Sequence, residues 1–176
     1  MFALKDILLI LIGAGIGFGI DRIKAILDRR LARRQLEEEL ALNLRMLPHF
    51  RRYLERTYEA CREGHAPNMR ALHFARASYE ANYPVVLPLL SQAERSSYHL
   101  IYDHLAICNE ISDEAGHLIS TTATQEEFNR RLRICAGMFE SLFTTVDRLG
   151  EQMSAHIAGT PQDLLLPVRS NGPPTA

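Results

Sequence analysis

Hydrophobic residues recur at helical spacing through most of this chain, but the first apolar stretch has no polar face. No charged residue interrupts Ile7–Ile20, ILLILIGAGIGFGI, whereas later segments place apolar residues in steps of three and four. That spacing puts the apolar side chains along one side of a helix. The pattern therefore predicts an all-α protein, in which one N-terminal transmembrane helix continues into a cytoplasmic antiparallel helical bundle.

The opening helix should continue well beyond its apolar run. Residues 21–47 are rich in Arg, Leu, Glu and Ala, which favour helix. We expect Pro48 to kink or break the helix and Gly64 to end it. One apolar face should begin the packing of the bundle: Leu36, Leu40, Leu44, Leu47, Phe50, Leu54, Tyr58 and Cys61.

Three further helices should complete the bundle. The second should cover 68–83, before the apolar connection PVVLPLL. Ser91 with Glu94 and Thr124 with Glu127 match capping boxes, which predict where the third and fourth helices begin. The third should bury a seam formed by Ile101, Leu105, Cys108, Ala115 and Ile119. The fourth has the most regular seam, formed by Phe128, Leu132, Cys135, Phe139, Leu142, Val146, Leu149, Met153 and Ile157.

The interpretation of Ile7–Ile20 as a membrane anchor depends on its length and its glycines. As a helix the run rises about 21 Å, against a hydrocarbon core of roughly 30 Å. Flanking apolar residues extend it, and a thin membrane would accept it. In a water-soluble helix each glycine would cost about 1 kcal/mol relative to Ala, whereas membrane helices tolerate glycine.

Three alternatives explain the same run less well. A signal peptide should end in small residues, but Asp21-Arg22 follows here. A buried soluble helix would carry the cost of the glycines. A dinucleotide-binding turn needs G-x-G-x-x-G, and the third glycine position falls on Phe18 or Ile20.

Charge predicts the orientation of the anchor and one of its partners. The net charge is −1, which gives no overall attraction to nucleic acid. Six basic residues follow the apolar run: Arg22, Lys24, Arg29, Arg30, Arg33 and Arg34. The positive-inside bias therefore predicts an N-terminus outside the inner membrane of a bacterial cell and a cytoplasmic C-terminal domain. The same residues are candidates for binding anionic lipid headgroups, or they are only a topology signal on a solvated stalk.

Alternate glycines in the anchor predict self-association. Gly13 and Gly17 lie within roughly 40° of each other around a helix, and Gly15 and Gly19 do the same on nearly the opposite side. Small residues four apart let membrane helices pack closely, so the chain is expected to form a homo-oligomer. Alternatively, the glycines merely suit a short, loosely packed anchor.

No arrangement in the sequence predicts catalysis or a cofactor. Glu114 and His117 match E-x-x-H, but a di-metal bundle needs two such motifs, so we interpret them as part of a solvated acidic face. His99 and Asp103 form an i, i+4 pair without an evident nucleophile. The three cysteines Cys61, Cys108 and Cys135 show no C-x-x-C spacing, which indicates reduced, buried thiols.

The first 47 residues carry a resemblance of layout. A short glycine-rich anchor, an Arg-rich stalk and then Glu39-Leu40-Ala41-Leu42-Asn43-Leu44 are similar to many uncharacterised bacterial single-pass membrane proteins. The resemblance implies no activity. We expect four regions: an anchor (1–27), a helical stalk (28–47), a helical bundle (48–160) and a disordered tail (161–176).

The leading hypothesis is a membrane-anchored, non-enzymatic scaffold or interaction protein that self-associates. It would bind a protein partner through the bundle or through the tail. One alternative is an oligomeric membrane effector that opens a pore under control of the bundle. Another is an enzymatic or metal-binding bundle that uses the acidic face at Glu114 and His117.

Overall fold

The computed structural model describes residues 4–67, 72–121 and 124–161, and the side chains from residue 18 onward. This part of the chain is all-helical. It contains four α-helices, α1 (Leu4–Arg62), α2 (Ala77–Val86), α3 (Gln92–Ser120) and α4 (Gln125–Ile157), and a 3-10 turn at Leu87–Leu89. The predicted all-α class is confirmed.

Hydrogen bonds between helices give their relative directions. His156, near the end of α4, bonds Ser97 near the start of α3 (Nδ1 to Oγ, 2.8 Å), and Arg131, near the start of α4, donates to the Leu118 carbonyl near the end of α3 (2.8 Å). Arg51 of α1 pairs with Asp147 of α4. Arg33, which precedes Arg51 on α1, pairs with Glu94 at the start of α3. The first two bonds make α3 and α4 antiparallel. The two arginine pairs then show that α1 runs parallel to α3 and antiparallel to α4.

The predicted seams form the core. On α4 every residue from Leu132 to Met153 in the predicted seam is buried, whereas Phe128 at its start is partly buried and Ile157 at its end is half-exposed. On α3 the seam is buried through Ala115. Both predicted helix starts are confirmed, because the Ser91 hydroxyl accepts from the Glu94 amide and the Thr124 hydroxyl accepts from the Glu127 amide, each at 3.2 Å.

Helix α1 passes Pro48 without a break, so that part of the prediction is wrong. Leu47 and Phe50 are buried on either side of the proline, and this packing offsets the roughly 3 kcal/mol that proline costs inside a helix. Packing begins at Ala32, so residues 32–47 of the predicted stalk belong to the bundle. Gly64, at φ +79°, ends the helix as predicted.

The predicted helix over 68–83 is wrong over residues 72–76. Helix α2 begins only at Ala77, and 72–76 run without helical structure, while 68–71 lie outside the described residues. The backbone of Phe74 and Ala75 is bound by side chains of α1 and α3, which compete with helix formation. We call residues 72–86 the strap.

Among the residues that the structure describes, no helix is both long and apolar enough to cross a bilayer. The transmembrane part of the fold prediction is therefore not confirmed. Residues 4–17 belong to α1, but their side chains lie outside the described part of the chain, and so does the predicted tail from 162 onward.

Candidate functional site

Residues 18–31 of α1, which we call the projecting segment, extend beyond the bundle. Apart from Gly19, every residue in it is exposed. At about 100° per residue, four large apolar side chains fall within an arc of roughly 80°: Ile20, Ile23, Leu27 and Leu31. The buried Ala32 and Leu36, which begin the contact with the bundle, lie on roughly the opposite side of the helix. These four side chains are therefore turned away from the bundle, whereas the exposed Phe18 and Ile26 lie on other sides of the helix.

The six basic residues predicted to bind lipid divide into two groups. Arg22, Lys24, Arg29 and Arg30 are exposed on the projecting segment, and within the described residues none of these four forms an ion pair. The other two pair with acidic residues of the bundle or of α1. Arg33 binds Glu37 and Glu94, each at 2.9 Å, and Arg34 binds Glu38 at 2.8 Å.

Three of the four predicted oligomerisation glycines, Gly13, Gly15 and Gly17, lie outside the residues whose side-chain surroundings are described. Gly19 lies inside them, and a Cβ added there would meet nothing within 4 Å. The position is therefore open as far as the described residues are concerned.

The residues considered for metal binding and for base catalysis lie on the exposed side of α3. Glu114 and His117 are exposed, and the described residues contain no group of three or more His, Cys, Asp or Glu that could hold a metal ion. Asp113 pairs with His73 of the strap (2.8 Å), and His99 pairs with Asp103 (3.4 Å) at the surface.

A part-buried serine–histidine pair was not predicted from the sequence. The Ser97 hydroxyl lies 2.8 Å from His156 Nδ1, and the imidazole packs edge-on against Tyr98 beside a cleft of about 260 Å³. Burial lowers the pKa of His156, against the opposing influence of Glu94 and Glu37. The pair forms a hydrogen bond between α3 and α4, and the buried serine is not exposed as a nucleophile.

The strap is bound mainly through its backbone. Asn43 of α1 donates to the Ala75 carbonyl (2.7 Å) and accepts from the Ala75 amide (2.9 Å). Asn109 of α3 makes the same pair of bonds with Phe74, at 3.1 and 2.9 Å. In the sequence, the one sign of this attachment was Asn43, a polar residue in the apolar face that contains Leu40 and Leu47.

A buried carboxylate completes this attachment. Glu39 of α1 accepts from the Ser78 amide (2.7 Å), the Tyr79 amide (3.0 Å) and the Tyr102 hydroxyl (2.9 Å). The Tyr79 and Tyr102 rings stack with centroids 4.0 Å apart. Burial and the neighbouring Glu39 raise the pKa of Tyr102, so its hydroxyl remains a donor.

The three cysteines are free and buried, which confirms the prediction for their thiols. Burial raises the pKa of Cys61 and of Cys108 to about 12, and it also raises that of Cys135. Burial and the raised pKa values make these thiols poor nucleophiles.

Comparison with known proteins gives no relative from which a function could be carried over. No protein-family model, no curated protein and no solved structure matches this chain.

Proposed function

We propose that this protein is a membrane-anchored, non-enzymatic helical scaffold. Its bundle is held at the cytoplasmic face of the membrane by the N-terminal part of α1. The observation that carries this proposal is the projecting segment. It presents apolar side chains on the face directed away from the bundle, together with four basic residues that lack ion-pair partners within the described chain.

Exposed apolar and basic side chains on one helical segment suit a membrane surface. Each basic residue near an anionic surface contributes about 1 kcal/mol to binding, while apolar side chains enter the boundary between headgroups and acyl chains. The uncharged sequence of Ile7–Ile20, which overlaps the start of this segment on α1, would extend the contact into the bilayer. The bundle would then stand at the membrane as a platform for protein partners.

Self-association belongs to the same proposal. The glycines at 13, 15, 17 and 19 would let anchors from neighbouring copies approach closely. Gly19 supports this idea, since no described residue occupies the space beside it.

Extraction of cell membranes at alkaline pH tests the anchor. We expect the wild-type chain to stay in the membrane pellet and the double variant Ile10→Lys/Ile12→Lys to move to the soluble fraction. Each lysine in the middle of a membrane helix costs about 2.5–3.5 kcal/mol.

The matched control changes two exposed isoleucines of the bundle instead. Ile107→Lys/Ile134→Lys adds the same charge at sites away from α1, where both side chains already face solvent. This variant should remain in the pellet. Recovery of the wild-type chain in the soluble fraction would overturn the proposal.

A further inference from the structure

The strap contacts the rest of the protein as a bound peptide contacts its receptor. Its backbone lies between α1 and α3, where Asn43 and Asn109 each bind both the amide and the carbonyl of one strap residue. We infer that this α1–α3 groove is a peptide-binding site, which accepts in trans an extended segment carrying an aromatic anchor in place of Phe74. The strap is its built-in competitor.

The groove combines main-chain recognition with a pocket for the side chain of Phe74. An asparagine that binds both backbone groups of a residue fixes the direction and register of an extended segment without reading its side chain. Phe74 supplies the specificity, because it is 4% exposed and its ring lies 4.7 Å from that of Phe50. Asn43 is itself fully buried, so its amide is committed to this contact.

Several features make the strap the part of the bundle that opens most easily. Helix α2 has ten residues and contains Pro84, and its N-cap, Arg76, supplies no side-chain cap. The capping comes instead from Glu39 of α1. A helix this short is marginal unless it is docked, and the Arg76 Nε is buried without a hydrogen-bond partner. The strap should therefore open locally while α1, α3 and α4 stay packed.

The partner that fits the groove is an extended peptide with a buried aromatic residue that leads into the start of a helix. The aromatic ring would replace Phe74, and the first amides of the helix would bind Glu39. This inference rests on the scaffold function proposed above, since it names the chemistry of the partner, but its tests do not involve membrane binding.

Hydrogen exchange on the purified 176-residue chain in detergent tests the opening. After correction for intrinsic rates, the amides of Ala75, Ser78 and Tyr79 should exchange roughly 100-fold faster than those of Phe139 and Leu142 in α4. Glu39→Gln should speed strap exchange further and leave α4 unchanged, whereas the exposed neighbour change Glu38→Gln should alter neither. Equal rates for the strap and α4 in the wild-type chain would overturn the inference.

Binding of a labelled peptide with the sequence of residues 72–86, LHFARASYEANYPVV, tests the groove. The full chain with Phe74→Ala should bind it at least about 10-fold more tightly than wild type, because its own strap competes less. The control Leu89→Ala, an exposed apolar truncation outside the groove, should bind like wild type. A peptide lacking the phenyl ring should bind more weakly to the Phe74→Ala chain. If that chain keeps slow exchange in α3 and α4 but does not bind the peptide, the groove is not a peptide site.

Discussion

Two buried polar side chains of α1, Glu39 and Asn43, interrupt the apolar core of this bundle. Glu39 and Asn43 occupy buried positions on α1, beside Leu36 and Leu40, yet both have their hydrogen bonds satisfied by the strap or by Tyr102. Removing either partner would leave a buried polar group unsatisfied, which costs about 1–3 kcal/mol. These residues therefore fix the position of the strap on the other helices.

The stability of the bundle should depend on pH through His156, and the direction of this dependence follows from the lowered pKa of its side chain. Its pKa in the folded protein lies below the unfolded value because burial disfavours the charged ring, so the unfolded state binds more protons as the pH falls through about 6.5. The free energy of unfolding should therefore decrease from pH 7 to pH 5. Arg33 adds to this effect, and the carboxylates of Glu37 and Glu94 reduce it.

Denaturant unfolding at several pH values measures this dependence. His156→Gln keeps a polar group near Ser97 but removes the titration, so its stability should fall less between pH 7 and pH 5 than that of wild type. His99→Gln, at a side chain that is 69% exposed, is the matched control and should follow wild type. An identical pH dependence for the His156→Gln and wild-type chains would show that burial of His156 does not affect its proton affinity.

At the scale of the elements, the seam of α4 holds the bundle together. Phe139 is fully buried at its middle, so Phe139→Ala should lower the free energy of unfolding by about 3–5 kcal/mol. Ile134→Ala, on the same helix at a side chain that is 45% exposed, should cost far less. Thermal or denaturant unfolding of both variants checks this prediction. Equal stability of the two variants would contradict the assignment of Phe139 to the buried seam of α4.

The elements also show how far the sequence predicts this fold. The seams of α3 and α4 and their capped starts follow from local spacing, and the structure confirms them. The prediction of helix over residues 72–76 fails because Asn43 and Asn109 lie 32 and 35 residues from the backbone groups they bind. Local spacing carries no information about such partners. For the same reason the Ser97–His156 pair and the Glu39 attachment could not be predicted.

At the scale of the whole molecule, α1 connects two environments. Its later part lies in the core of the bundle, whereas residues 18–31 leave the bundle with their apolar face turned outward. A single helix therefore joins the proposed membrane contact to the groove that holds the strap. We expect the orientation of the bundle at the membrane to follow from the continuity of this helix.

The proposed membrane anchor is tested most directly by cysteine labelling along α1 in native membranes. The chain's own three cysteines are buried with raised thiol pKa values, so a single introduced cysteine should dominate the signal from a membrane-impermeant maleimide. In inverted inner-membrane vesicles, Leu31→Cys and Leu42→Cys should label readily. Ile10→Cys should remain unlabelled until detergent is added. Labelling of Ile10→Cys at the same rate as Leu42→Cys in intact vesicles would contradict the account.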